Sequence, residues 1–171
     1  MKIFDTQLKA LTEKLTQYDE DIEDAARILA QSIVSDGRIY WYGENEMKGI
    51  VTQACLGEDR IADSFLADES TSFSAMDTLV VMSQDLSENM IETLTNKAVQ
   101  GQSTVIGIHS NIEDSSVVDL DFSFTTGVKN GLVPMESGNR IGSPHLLIGL
   151  HLYYKLYFAV MEMLEEHTEL D

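Results

Sequence analysis

Apolar or aromatic residues fall at Phe4, Leu8, Leu11, Leu15, Tyr18, Ile22, Ala25 and Leu29, with spacings of four and three in strict alternation. That rhythm is the seam of helices packed side by side, and it predicts a helical arm over residues 1–36, with or without a break near "YDED". "SDG" closes the arm, Gly37 being free to take the left-handed cap conformation. The run Ile39 to Tyr42 is too short for a helix and too apolar for a half-exposed strand, so it reads as a buried parallel strand. After it, "ENEMKGIVTQACLG" reads as a helix closing on Gly57 and "SFLAD" as a short edge strand. "TLVVMS" is a strand, "SENMIETLTNKAVQG" a helix from an N-cap at Ser87 to Gly101, and "STVIGIH" and "LDFSFTT" are two further strands. Alternation of this kind over residues 37–126 predicts an α/β three-layer sandwich, a parallel sheet of about five strands with helices on both faces.

Residues 127–145 break the rhythm: "GVKNGLVPMESGNRIGSP" carries four glycines and both prolines without a period, and a loop of this length in a compact domain tends to be functional. The closing stretch, 146–167, is a nearly all-apolar helix. Its segment "LLIGLHLYYKLYFAVMEML" has the length of a membrane span, but Lys155 at its centre would cost roughly 2.5–3.5 kcal/mol there. A buried helix fits better. Four or five short strands alone leave much of this helix and of the amino-terminal arm uncovered, so the terminal helices are expected to pack on each other and on copies from another subunit as a homodimer or homotetramer, the plain alternative being that they cover the two faces of their own sheet.

Composition narrows the class. The 171 residues, 43% of them hydrophobic, make one domain over 1–171. A net charge of -18, from 11 basic against 29 acidic residues, leaves no basic face for nucleic acid and repels anionic membrane. The single Cys55 cannot form an internal disulfide and "MKIFDTQLKAL" lacks a signal core, so a cytoplasmic location is expected.

In an open parallel sheet the ligand lies beyond the carboxyl ends of the strands, where three stretches converge. The first, "YGENEMK", has Gly43 for a tight turn and then Asn45 and Glu46 at a helix start, an arrangement that serves equally as a plain turn. The second, "SQDLSEN", carries Ser83, Asp85 and Ser87: Ser83 faces the crevice, Ser87 makes an N-cap, and Asp85 is suited to a sugar hydroxyl, to a cap, or to a cation beside a phosphate. The third is the long loop, where Lys129, Asn139 and Arg140 are placed to read an acidic ligand or to keep the loop soluble. His145, beside that loop, is the best placed acid–base group, and a structural histidine at a helix start is the plain alternative. His151 lies six residues on, about 240° around the helix, so the two histidines cannot share a metal. Cys55 reads as a small core residue. No metal site and no cofactor is expected.

Taken together, "IYWYGENEM", "DTLVVMSQDLSENMIETLTNKAVQGQSTVIGIHSN" and "IGSPHLLIGLHLYYKL" resemble the sugar isomerase (SIS) domain, in its phosphoheptose isomerase branch and in a small set of uncharacterised bacterial proteins with SIS-like domains. The resemblance implies a flavodoxin-like sheet, a crevice for a sugar phosphate, and a serine-rich phosphate loop in which Ser83 and Ser87 keep register. Gln84, Asp85 and Leu86 replace the centre of that loop. The branch's catalytic glutamate and histidine align with Leu56 or Gly57 and with Leu150, so an active isomerase here would use His145 or His151 with Glu46 or Glu58. Three functions follow: a phosphosugar or carbohydrate-derivative binding protein, a ketose–aldose isomerase, or a structural or regulatory oligomer with a vestigial crevice.

Overall fold

A computed structural model of the chain describes residues 1–110 and 118–170; the part of the predicted core at 111–117 and the final Asp171 lie outside the described residues. The amino-terminal seam forms α1 (Lys2–Lys14), one 3-10 turn over Leu15–Tyr18, and α2 (Asp19–Val34). Leu15, Ile22, Ala25 and Leu29 are buried, while Phe4, Leu8, Leu11 and Tyr18 are half-buried, so the seam runs through the break without losing its face. The cap differs from expectation. Asp36 takes the left-handed conformation, at φ 58, which a short polar side chain tolerates. Gly37 is needed for space instead, because a Cβ there would lie 2.0 Å from the Met76 carbonyl oxygen.

The sheet consists of β1 (Ile39–Gly43), β2 (Ser64–Leu66), β3 (Thr78–Met82), β4 (Thr104–His109) and β5 (Phe122–Thr125). All neighbours are parallel, in the order β2-β1-β3-β4-β5. α3 (Lys48–Leu56), α4 (Asn89–Gln100) and α5 (His145–Leu170) complete the layers. On one face Trp41, Ile106, Ile108 and Phe124 pack with α2, α3 and α5; on the other Leu79, Val81 and Val105 meet Ile91, Leu94 and Ala98 of α4. β3 is buried at all five positions, as a central strand covered on both faces must be.

α5 docks through Tyr153, whose ring meets that of Trp41 at 5.7 Å and whose hydroxyl donates to the Asp59 carbonyl at 2.6 Å. Lys155, the residue that argued against a membrane span, pairs with Asp19 of α2 at 2.8 Å. Among the described residues no helix is long and apolar enough to cross a membrane. The loop before α5 is less irregular than its sequence: β6 (Val133–Pro134) and β7 (Arg140–Ile141) pair antiparallel. Strands of two residues are too short to leave a period in the sequence.

The chain winds outward from β1 through β2 on one side and through β3, β4 and β5 on the other. This reversal between β1 and β3 is the topological switch point, where the loops part and leave a crevice.

Candidate functional site

Two turns face each other at the switch point. At the end of β1, Gly43 lets the chain fold back on itself, since a Cβ would lie 2.8 Å from the Met47 carbonyl oxygen. The Glu44 N–H donates to the Met82 carbonyl at 2.9 Å, tying this turn to the end of β3. Asn45 then takes a left-handed φ of 51 and opens a 3-10 turn through Met47. That twist sets the Glu46 carboxylate against the neighbouring loop, where it accepts a hydrogen bond from Gln84 Nε2 at 3.0 Å. Burial alone would raise the Glu46 carboxyl, but its own backbone N–H, the Gln84 amide and the His145 ring outweigh it and hold the group below the usual range.

In the loop after β3, Ser83 is buried and its Oγ accepts the Leu86 N–H at 2.7 Å, with Leu86 left-handed at φ 57. Asp85 turns its carboxylate onto Ser87, accepting from the backbone N–H at 3.1 Å and from Oγ at 2.7 Å. These bonds, the hydroxyl's first, hold the Asp85 carboxyl below its ordinary value, so it is ionised. The expected N-cap is corrected here: α4 starts at Asn89 behind Glu88, with no side-chain cap, because the Ser87 hydroxyl is spent on Asp85.

Beneath both turns lies His145, 1% exposed. Its Nε2 is 3.3 Å from the Ser83 carbonyl oxygen and its Nδ1 is 2.7 Å from Thr126 Oγ1. A carbonyl can only accept, so Nε2 carries the proton, and Nδ1 accepts from the Thr126 hydroxyl. Burial lowers the pKa of this ring, against the pull of the Ser83 carbonyl and of the Glu46 charge. His145 thus clips the end of β3 to the end of β5 from the first residue of α5. His109, the last residue of β4, is buried beside it: Nε2 meets Ser123 Oγ at 2.7 Å, and Nδ1 has no partner among the described residues. Burial, and then the nearby His145, lower its pKa.

The structure therefore gathers Gly43, Asn45, Glu46, Ser83, Asp85, Ser87 and His145 at the carboxyl edge of the sheet, as the strand ends in the sequence lead one to expect. The other candidates lie on α5, after α3 and in the long loop. His151 is exposed farther along α5. Glu58 follows the carboxyl end of α3, which runs from the crevice edge of the sheet back to the opposite edge. Lys129 and Asn139 are exposed in the long loop. Arg140 closes its own hairpin, donating from Nε to the Gly131 carbonyl at 2.7 Å and from Nη2 to the Leu132 carbonyl at 2.9 Å. Cys55 is half-buried against the core, and desolvation pushes its thiol up to about 11, which keeps it protonated at neutral pH. Thr126 and His109 carry no role in the sequence reading, although one directly follows a strand and the other ends one, and Gln84, two residues past β3, is seen there only as a replacement in the loop. Among the described residues no three His, Cys, Asp or Glu side chains converge as for a metal ion. A groove of about 1260 Å³ runs beside β2, walled by Leu56, Phe65, Leu66 and Met161, and reaches the switch point at Tyr42, Gly43, Lys48 and Met90. Lys48, Arg60, Asp63 and Asp68 add charge to its largely apolar walls.

This switch-point architecture defines an α/β protein of SIS-like fold. Residues 1–164 match the family described as "Domain of unknown function (DUF2529)", and the chain belongs to that family. It is 28% identical to the uncharacterized protein YwjG of Bacillus subtilis strain 168, across 98% of this chain and 99% of that one. The phosphoheptose isomerase GmhA of Neisseria gonorrhoeae shares the fold with a TM-score of 0.64 at 12% identity, over 91% of this chain and 94% of that one. An Escherichia coli CFT073 protein solved in complex with a sugar phosphate aligns with a TM-score of 0.66 at 14% identity, over 95% and 88% of the two chains. MJ1247 of Methanococcus jannaschii, inferred from its structure to be a 3-hexulose-6-phosphate isomerase, gives a TM-score of 0.63 at 14% identity, over 98% and 90%. At these identities the likeness is one of fold.

Proposed function

We propose that this protein binds a small carbohydrate derivative in the crevice between the β1 turn and the β3 loop. The observation that carries this reading is the Glu46–Gln84 hydrogen bond across the switch point, above a floor made by Ser83 and His145. A carboxylate and an amide side by side offer acceptors and donors at the spacing of vicinal hydroxyls, and the reading draws support from structural neighbours named for phosphosugars. The partner is thus a small molecule of the sugar class, whose phosphorylated forms are the first to test. A second copy of the chain is a further partner in this reading, because α5 leaves Leu147, Phe158 and Met161 exposed.

One arrangement favours the isomerase as a second reading: the Glu46 carboxylate is tied to Gln84, and the His145 ring to the neighbouring Ser83, so a carboxylate and an imidazole meet the same loop. Moving a proton between adjacent carbons needs a base with a free lone pair, and Nδ1 of His145 is covered by Thr126, so Glu46 is the residue placed to serve. The test is a melting-temperature panel of sugars and sugar phosphates, followed by a turnover assay on any ligand found. A ligand at a hundred times its dissociation constant adds about 2.7 kcal/mol to stability. Turnover lost in Glu46→Gln with binding retained would establish the isomerase; binding without turnover would leave the binding protein. No stabilisation by any sugar would remove both readings.

A further inference from the structure

The loop after β3 is unusual in its charge, because a site for sugar phosphates should present donors and cations to the phosphate. Here the Ser87 N–H and hydroxyl both end on Asp85 Oδ1, at 3.1 and 2.7 Å, and the Leu86 N–H ends on Ser83 Oγ at 2.7 Å. An ionised carboxylate stands where an incoming anion would need those donors. Around it the crevice is acidic: Glu46 faces the loop through Gln84, while Glu44 is bonded to the Tyr42 hydroxyl and, with Glu88, raises the Tyr42 pKa after desolvation. Two of the cations are engaged apart from Asp85. Arg140 donates to Gly131 and Leu132 in its hairpin, and Lys48 lines the groove beside β2.

Resting on the carbohydrate-binding reading above, we infer that Asp85 is a specificity-determining residue: it occupies the anion position of the crevice, which therefore takes an unphosphorylated carbohydrate and rejects its phosphate ester. A dianion brought against Asp85 meets like charge from that carboxylate and from Glu44, Glu46 and Glu88, and it must break the Asp85–Ser87 bonds to gain the Ser87 donors. A sugar hydroxyl meets no such barrier. It donates to the outward oxygen of Asp85 or to Glu46 and accepts from the Gln84 amide, so the same carboxylate that repels a phosphate holds a polyol.

The experiment is calorimetric titration of the wild type, Asp85→Ser and Asp85→Asn with inorganic phosphate, and with fructose and fructose 6-phosphate as a matched pair. The wild type is expected to show no response to millimolar phosphate, and Asp85→Ser to bind it at least about tenfold more tightly. Asp85→Asn, close in shape but uncharged, separates loss of charge from loss of loop structure. In the sugar arm the wild type is expected to favour fructose over its phosphate ester, with Asp85→Ser narrowing or reversing that preference. Tighter binding of the phosphate ester by the wild type would overturn the inference while leaving the carbohydrate reading standing. Equal phosphate affinity in all three proteins would also overturn it. If both sugar forms fail while Asp85→Ser gains phosphate, the carbohydrate reading falls and with it the specificity assigned to Asp85.

Discussion

The switch-point crevice and the long loop before α5 are both rich in polar residues, and they use those residues in opposite ways. In the crevice the bonds reach far along the chain: Gln84 to Glu46 spans 38 residues, and His145 to Ser83 spans 62. In the loop they stay at home, Arg140 bonding to carbonyls 8 and 9 residues away and the Asn139 N–H donating to the Ser137 hydroxyl two residues back. A bond between distant segments fixes the relative position of two elements, and a ligand site needs such fixed positions. A bond within one hairpin fixes only the hairpin. The crevice holds local bonds too, Asp85 to Ser87 and Ser83 to Leu86, so it is the two long-range bonds that hold its turns in place, whereas the bonds of Arg140 and Asn139 fix only their own hairpin.

The contrast is sharpest for His145. His145→Ala would strand the buried Thr126 hydroxyl and the Ser83 carbonyl and open a cavity beneath the crevice, so a loss of about 3 kcal/mol is expected in urea denaturation. Acid should act on the same floor. Both buried histidines have pKa values held below 6.5, so the unfolded chain takes up protons before the folded one does. Stability is therefore complete above pH 6.5 and falls progressively below it, and melting curves from neutral pH to about 5 should show this. His109→Gln should flatten that pH dependence, and an unchanged slope would show that the buried imidazoles do not govern it. Smaller effects are expected at the crevice rim. Gln84→Ala removes one exposed hydrogen bond and should cost about 1 kcal/mol. Smallest of all is Arg140→Ala, whose exposed hairpin bonds should be worth about 0.5 kcal/mol and whose loss should leave ligand affinity unchanged. The oligomer is tested separately, by sedimentation of the 19.1 kDa chain: a second copy on the terminal helices should make it run above monomer size, and Phe158→Glu should return it to monomer.

Much of the layout could be read from residue spacing. The seam from Phe4 to Leu29, the strand beginning at Ile39, the fully apolar β3 and the alternation after it led to a parallel sheet with helices on both faces, because burial imposes periods that survive in sequence. Gly43, Ser83, Glu46 and His145 were legible for a related reason, since strand ends in a parallel sheet mark the crevice edge. What stayed hidden was pairing. Nothing in "SQDLSEN" tells that Ser87 bonds to Asp85 rather than capping α4, since one serine can satisfy either need. Gln84 reads in sequence as a replacement in a phosphate loop, and its tie to Glu46 is a tertiary fact. Asp36 and Gly37 exchanged roles because the approach of Met76, far along the chain, decides which of the two must lack a side chain. The two-residue strands around Arg140 are below the length at which a period can appear.

The most direct test compares Gln84→Ala and Arg140→Ala against the wild type in calorimetric titration with a sugar that raises the melting temperature. If the switch-point crevice is the site, affinity falls about tenfold or more in Gln84→Ala and is unchanged in Arg140→Ala. Full affinity in Gln84→Ala together with weakened binding in Arg140→Ala would move the site to the long loop and contradict the account.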